Sequence, residues 1–106
     1  MKNITKIALG SLIGLTLLTI STDAASINKG QKIFSKKLKG ACGFTGAKFA
    51  ASFKQKEWEE IFKAGKMEEE ARKLCPNIQV WEKKWEVNLF EFVYEYGADS
   101  GNEPAC

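Results

Sequence analysis

The chain has 106 residues, of which 44% are hydrophobic and 27% are charged, and its formal net charge is +3. This length accommodates one small domain, which excludes a multidomain enzyme. The weak positive charge does not indicate nucleic-acid binding, and charges interspersed along the chain are typical of a solvated face.

The first 24 residues have the pattern of a signal peptide. Two lysines precede an apolar run over residues 7–20, which is shorter than an ordinary spanning helix needs. Thr22 and Ala24 are small residues at the positions that a signal peptidase requires before a cut. The sequence therefore predicts export to the periplasm and a mature domain over residues 25–106 without a stable membrane anchor. An uncleaved anchor is the alternative.

Helices are predicted along the rest of the chain. The first runs from Asn28, which we expect to be its N-cap, to Lys39. Gly40 and Gly43 are expected to end it. The segment over residues 44–53 is ambiguous and holds at most a helical turn.

Two shorter helices are predicted in the middle of the chain. One covers Gln55–Ala64 and is ended by Gly65. The other covers Met67–Leu74, with acidic residues in its first turn and basic residues in its last. Pro76 prevents its continuation.

The last predicted helix covers Val80–Tyr96 and is closed by Gly97. Its apolar stripe follows four- and three-residue steps through Trp81, Trp85, Leu89, Phe92 and Tyr96. No period-two strand pattern of any length occurs in the sequence. The predicted class is therefore all-α, a small bundle of three to five helices.

The stretch GQKIFSKKLKGACG, residues 30–43, carries a family resemblance. Gly30, Ile33, Phe34 and Gly43 match the N-terminal helix pattern of small class I c-type cytochromes, and the aromatic last helix is similar to theirs. The resemblance implies a cytochrome-c-like bundle whose N- and C-terminal helices cross. It also implies a place in periplasmic redox chemistry.

The haem-attachment residues of that family are missing from residues 30–43, which we call the frame. Leu38 and Ala41 stand where the resemblance places the two thioether cysteines, and Cys42 stands where it places the proximal histidine. The chain contains no histidine and no Cys-x-x-Cys. Covalent haem attachment is therefore excluded, and no cofactor is expected.

Haem bound without a covalent link is the alternative, and it would make the protein an electron-transfer protein. Thiolate ligation of haem iron is known chemistry, with Cys42 as the candidate ligand and Met67 as a weaker one. Cys42 is otherwise a disulfide partner or small buried thiol, and Met67 a core gap-filler or surface residue.

Aromatic residues gather after the lost motif, at Phe44, Phe49 and Phe53. They would fill the space that haem occupies in a cytochrome, because voids in a protein interior are costly. The alternative is that a small domain simply needs large core residues.

Three cysteines are available for a disulfide: Cys42, Cys75 and Cys106. The sequence favours Cys75–Cys106, since the tail can fold back along the last helix. Closing that loop of roughly 30 residues would stabilise the fold by about 3.6 kcal/mol. The pairs Cys42–Cys75 and Cys42–Cys106 are the alternatives.

No catalytic motif accompanies these features: there is no histidine for a triad, no phosphate-binding glycine loop and no cluster of metal ligands. We therefore do not expect an enzyme. The sequence predicts a non-catalytic accessory or binding module of a respiratory or redox system, with another periplasmic protein as its partner. A basic rim that docks an acidic redox partner and a purely structural domain remain alternatives.

Overall fold

The computed structural model describes residues 24–102, and these residues are helical without a β-strand. The all-α class predicted from the sequence is confirmed. The predicted signal peptide, apart from Ala24, and the last cysteine, Cys106, lie outside the described residues. Within residues 24–102, every helix is too short or too polar to cross a membrane.

The first helical segment is longer than predicted. Helix α1 (Ala24–Ile33) continues through a π-helical turn (Phe34–Leu38) into α2 (Lys39–Cys42). In the π turn the Lys39 N–H donates to the Phe34 carbonyl, five residues back. The expected N-cap, Asn28, lies inside α1 with its side chain exposed, so that prediction is wrong.

Gly40 and Gly43 differ in their effect on this helix. Gly40 lies within α2, so the prediction that it breaks the helix is wrong. Gly43 does end it, because its φ of 75° is left-handed and its N–H donates to the Lys39 carbonyl at 2.8 Å.

The middle of the chain folds into three short helices. Helix α3 (Gly46–Ala50) begins after Thr45, whose hydroxyl accepts the N–H of Lys48 at 3.2 Å. It resolves the segment that the sequence left ambiguous. Helices α4 (Gln55–Lys63) and α5 (Met67–Leu74) confirm the two predicted helices to within one residue.

The last helix is shorter than predicted. Helix α6 (Glu86–Glu95) follows a 3₁₀ turn (Lys83–Trp85), whereas residues 79–82 are not helical. The indole N–H of Trp81 donates to the buried carboxylate of Glu86 at 2.9 Å. This hydrogen bond turns the segment before the helix back onto its first turn, so the helical stripe begins at Trp85 instead of Trp81.

One hydrophobic core joins these elements. Helices α1 and α6 pack against each other, as predicted for the first and last helices, and α4 packs on the same α6. The buried core residues are Phe34, Leu38, Phe49, Ala50, Trp58, Met67, Ala71, Cys75, Ile78, Trp85, Leu89, Phe90, Phe92 and Val93.

Candidate functional site

Gly30 of the frame lies at the contact between α1 and α6. A Cβ atom built on Gly30 would overlap the backbone carbonyl oxygen of Asn88 and would lie 2.7 Å from Cβ of Phe92. Any larger residue would push the two helices apart. The frame glycine therefore sets how closely the first and last helices approach each other.

The side chains next along the frame belong to the core. Phe34 and Leu38 are fully buried, whereas Ile33 and Ala41 are half-buried and pack against the same core. Leu38 is therefore a packing residue. It lies where the predicted resemblance places the first thioether cysteine. Ala41, at the second position, offers only a methyl group.

Aromatic rings fill the interior beside this frame. The ring of Phe49 lies 4.9 Å from that of Phe34 and 5.7 Å from that of Trp58, between centroids. Phe53 meets Trp58 edge-on at 4.9 Å. The Trp58 indole N–H donates to the buried Ala50 carbonyl at 2.7 Å. Phe49 and Phe53 thus join a packed aromatic cluster, which both interpretations of these residues expect.

Phe44, the third aromatic after the lost motif, lies outside that ring cluster. It is half-buried against the core, and the ammonium of Lys48 lies 5.6 Å from its ring centroid. This separation is compatible with a cation–π contact at the surface.

The disulfide joins Cys42 to Cys75, with 4.6 Å between their Cα atoms. Cys75 was predicted to pair with Cys106, and that prediction is wrong. The packing brings the last residue of α2 against the residue that follows α5, which a sequence does not reveal. Cys42 is half-buried and Cys75 is 1% exposed. With these two paired, Cys106 becomes the odd cysteine.

The disulfide also decides what Cys42 can do chemically. Its sulfur is bonded to Sγ of Cys75, so it presents no thiolate to a metal. Met67, the other candidate ligand, is 1% exposed and belongs to the core. Among residues 24–102 there is no group of three His, Cys, Asp or Glu side chains that could hold a metal ion.

A surface pocket of about 450 Å³ lies where α3 approaches the end of α6. Its lining consists of Ala47, Ala51, Tyr96, Gly97, Ala98, Gly101 and Asn102. Small residues dominate this lining, and among the described residues it carries no carboxylate, thiol or amine side chain. The pocket therefore offers no constellation for acid–base or nucleophilic catalysis.

A row of lysines marks the exposed side of the first helical segment. Lys29, Lys32, Lys36 and Lys39 follow one another at three- and four-residue steps, and all four are exposed. The buried positions of the same segment, Ile27, Gly30, Phe34 and Leu38, follow the same steps on the core side. We call these four lysines the lysine stripe.

The charge around the lysine stripe is of one sign. Between residues 24 and 56 the sequence has eight lysines and no acidic residue, whereas residues 57–106 have 12 acidic and six basic residues. All eight lysines are exposed, and none forms an ion pair with a described residue.

The basic residues of the second half behave differently. Arg72 binds Glu68 at 2.9 Å, and Lys73 donates a hydrogen bond to Glu70 at 3.2 Å. That hydrogen bond, with the nearby charge of Glu70, raises the pKa of Lys73 above its ordinary value. Among the described residues, five of the six basic side chains of the second half form ion pairs, and Lys66 is the exception. The signal that sequence reasoning missed was the lack of acidic residues over residues 24–56.

No family model, curated protein or solved structure matches this chain. The function therefore has to be inferred from the frame, the filled interior and the charged surface.

Proposed function

We propose that this protein is an exported, cytochrome-c-like helical domain without covalent haem, and that it is a non-catalytic binding module of a periplasmic redox system. The burial of Leu38 is the observation on which the proposal rests. Leu38 stands at the first position of the degenerate attachment motif and is fully buried in the core. A leucine methyl group forms no thioether bond, and the chain has no histidine to ligate iron.

The packing of the interior supports a domain that folds without a prosthetic group. Phe34, Phe49 and Trp58 make successive tilted ring contacts and are fully buried. A small domain needs a staple in addition to its core, and the Cys42–Cys75 disulfide supplies one. These features replace the structural role that haem has in a cytochrome.

The exposed charge supports binding as the role of the domain. The eight lysines of residues 24–56 are exposed and form no ion pair with a described residue. The described surface also carries no group of side chains arranged for catalysis. Unpaired charge of one sign promotes association with a partner of the opposite sign. The partner that we propose is another periplasmic protein.

The test is an intact-mass measurement combined with an absorption spectrum on protein purified from its native host. We expect the mass of residues 25–106 with one disulfide, and no Soret band. A Soret band that persists through purification would overturn the proposal of a haem-free domain. A mass that includes residues 1–24 would overturn cleavage of the signal peptide.

The alternative of an electron-transfer protein with Cys42-ligated haem needs a reduced Cys42. It can be tested by adding haem to the oxidised protein and to a Cys42→Ala variant. We expect the same spectrum for both, because the oxidised protein has no thiolate at this position. A thiolate-type spectrum that is lost in the variant would establish the alternative.

A further inference from the structure

We propose that the lysine stripe is the docking surface of this protein, and that it binds a compact acidic patch on a partner protein. The inference rests on the proposed function as a binding module and names the surface and the chemistry of its partner. It is carried by the placement of Lys29, Lys32, Lys36 and Lys39 together on the exposed side of one helical segment.

The geometry of the stripe fixes the size of the patch that it fits. From Lys29 to Lys39 there are ten residues, which would span about 15 Å in a regular α-helix and span somewhat less here because residues 34–38 form a π turn. A partner surface with several carboxylates over a similar length would face every ammonium of the stripe.

The stripe is unfavourable for the isolated chain. Like charges three or four residues apart on a helix repel each other, and Lys29–Lys32, Lys32–Lys36 and Lys36–Lys39 are three such pairs. The helix dipole favours cations in the last turn, which accounts for Lys39 but not for Lys29 or Lys32. No described carboxylate relieves the repulsion. A carboxylate-bearing partner would relieve it on binding.

The rest of the surface favours an acidic protein over a membrane or a nucleic acid. Membrane-surface helices place large apolar side chains beside their lysines. Among residues 24–102, the exposed large hydrophobic residues are Val80 and Val87, which lie outside the first helical segment. Residues 57–106 carry twice as many acidic as basic side chains, which would repel an extended polyanion such as duplex DNA. A compact acidic patch can meet the stripe without meeting that second half.

The experiment compares two variants that remove the same number of positive charges. The stripe variant is K29Q/K32Q/K36Q/K39Q. The control is K63Q/K66Q/K83Q/K84Q, whose lysines lie among the acidic residues of the second half. All eight positions are exposed, so both variants are expected to keep the helical circular-dichroism spectrum of the parent.

Binding is measured on residues 25–106 by calorimetry, with a short poly-L-glutamate of about five residues as the probe, because its extended length is similar to that of the stripe. We expect the stripe variant to bind about tenfold more weakly or worse, and the control to stay within about twofold of the parent. We also expect the parent's affinity to fall between about 20 mM and about 200 mM salt, since exposed charges are screened. An equal loss in the control would overturn the assignment to the stripe.

Two further probes separate the classes of partner. Phosphatidylglycerol vesicles and a short duplex DNA are titrated under the same conditions. Stripe-dependent binding to either that is tighter than binding to poly-L-glutamate would overturn the acidic protein as partner. The outcome is independent of haem: a Soret band in the same sample would overturn the proposed haem-free function and leave the docking result unaffected.

Discussion

Gly30 of α1 lies so close to Asn88 of α6 that a β-carbon on the glycine would overlap the asparagine's backbone carbonyl oxygen. The atom on the far side of the contact belongs to a helix backbone, so no side-chain rotation can make room. The first and last helices therefore approach each other at a distance that glycine alone permits.

The substitution Gly30→Ala is expected to destabilise the fold. Alanine gains about 1 kcal/mol in helix propensity over glycine, whereas overpacking a core contact costs about 1–3 kcal/mol. Because the clash is with backbone, we expect the cost at the upper end of that range and a net loss of about 1–2 kcal/mol. Urea denaturation followed by tryptophan fluorescence measures this loss.

Gly40 provides the matched control for this substitution. It is also helical, but no atom lies within 4 Å of a Cβ built on it. Gly40→Ala is therefore expected to raise the free energy of unfolding by about 0.4–1 kcal/mol. Equal effects of the two substitutions would contradict the close contact at Gly30.

Removal of the Cys42–Cys75 disulfide is expected to lower stability strongly. The two cysteines are 33 residues apart, and a loop of that size is worth about 3.7 kcal/mol in the chain-entropy model. The double variant Cys42→Ala/Cys75→Ala should lose about 2–4 kcal/mol. Thermal unfolding should show a correspondingly lower midpoint, and reduction of the parent with dithiothreitol should reproduce the shift.

Cys106→Ser is the control for that experiment. Its stability should lie within about 0.5 kcal/mol of the parent, as for most substitutions away from the core. A large loss in Cys106→Ser together with no loss in a Cys42→Ala variant, which keeps Cys75, would restore the Cys75–Cys106 pairing that the sequence favoured.

Alkylation of the native, non-reduced protein tests the pairing directly. With Cys42 and Cys75 joined, iodoacetamide should modify Cys106 alone, and peptide mapping should find the other two cysteines in one disulfide-linked fragment. Modification of Cys42 in the native protein would contradict the pairing. A disulfide-linked dimer with Cys42–Cys75 intact would instead place Cys106 in a bond between chains.

The variant Leu38→Ala measures how much the Leu38 side chain contributes to the stability of the core. Leu38 is fully buried, and truncation of a buried leucine costs about 2–5 kcal/mol because it leaves a cavity. We therefore expect an effect of this size in the urea midpoint. The control is Val87→Ala, at a position that is 58% exposed, where the change should stay within about 0.5 kcal/mol. A cost below about 1 kcal/mol at Leu38 would contradict its place in the core.

Local signals in the sequence were sufficient for part of the fold. Helix α5 begins at Met67 and ends at Leu74 as predicted, because a run of acidic residues follows its start and Pro76 follows its end. Gly65 ends the preceding helical segment with a φ of 73°. Capping, charge and backbone restrictions act over a few residues, and for that reason a single sequence contains them.

Contacts that depend on tertiary packing could not be predicted from such local signals. The last helix begins at Glu86 instead of Val80 because Trp81 turns back and donates to the Glu86 carboxylate. Trp81 has the helical spacing to the residues after it in the sequence, but its contact with Glu86 outweighs that local preference. The first helix in turn runs on past Gly40, since Leu38 is held in the core before it.

The sequence by itself determined the helical class and the lack of histidine and of a Cys-x-x-Cys pair, since folding cannot supply residues that the chain does not contain. The tertiary structure decided that Cys42 pairs with Cys75 and that Phe49 and Trp58 pack together in the interior. It also decided that the lysines of the first helical segment are exposed and form no ion pair with a described carboxylate. Those outcomes depend on which surfaces pack together in three dimensions. The order of residues along the chain does not show which distant residues come into contact.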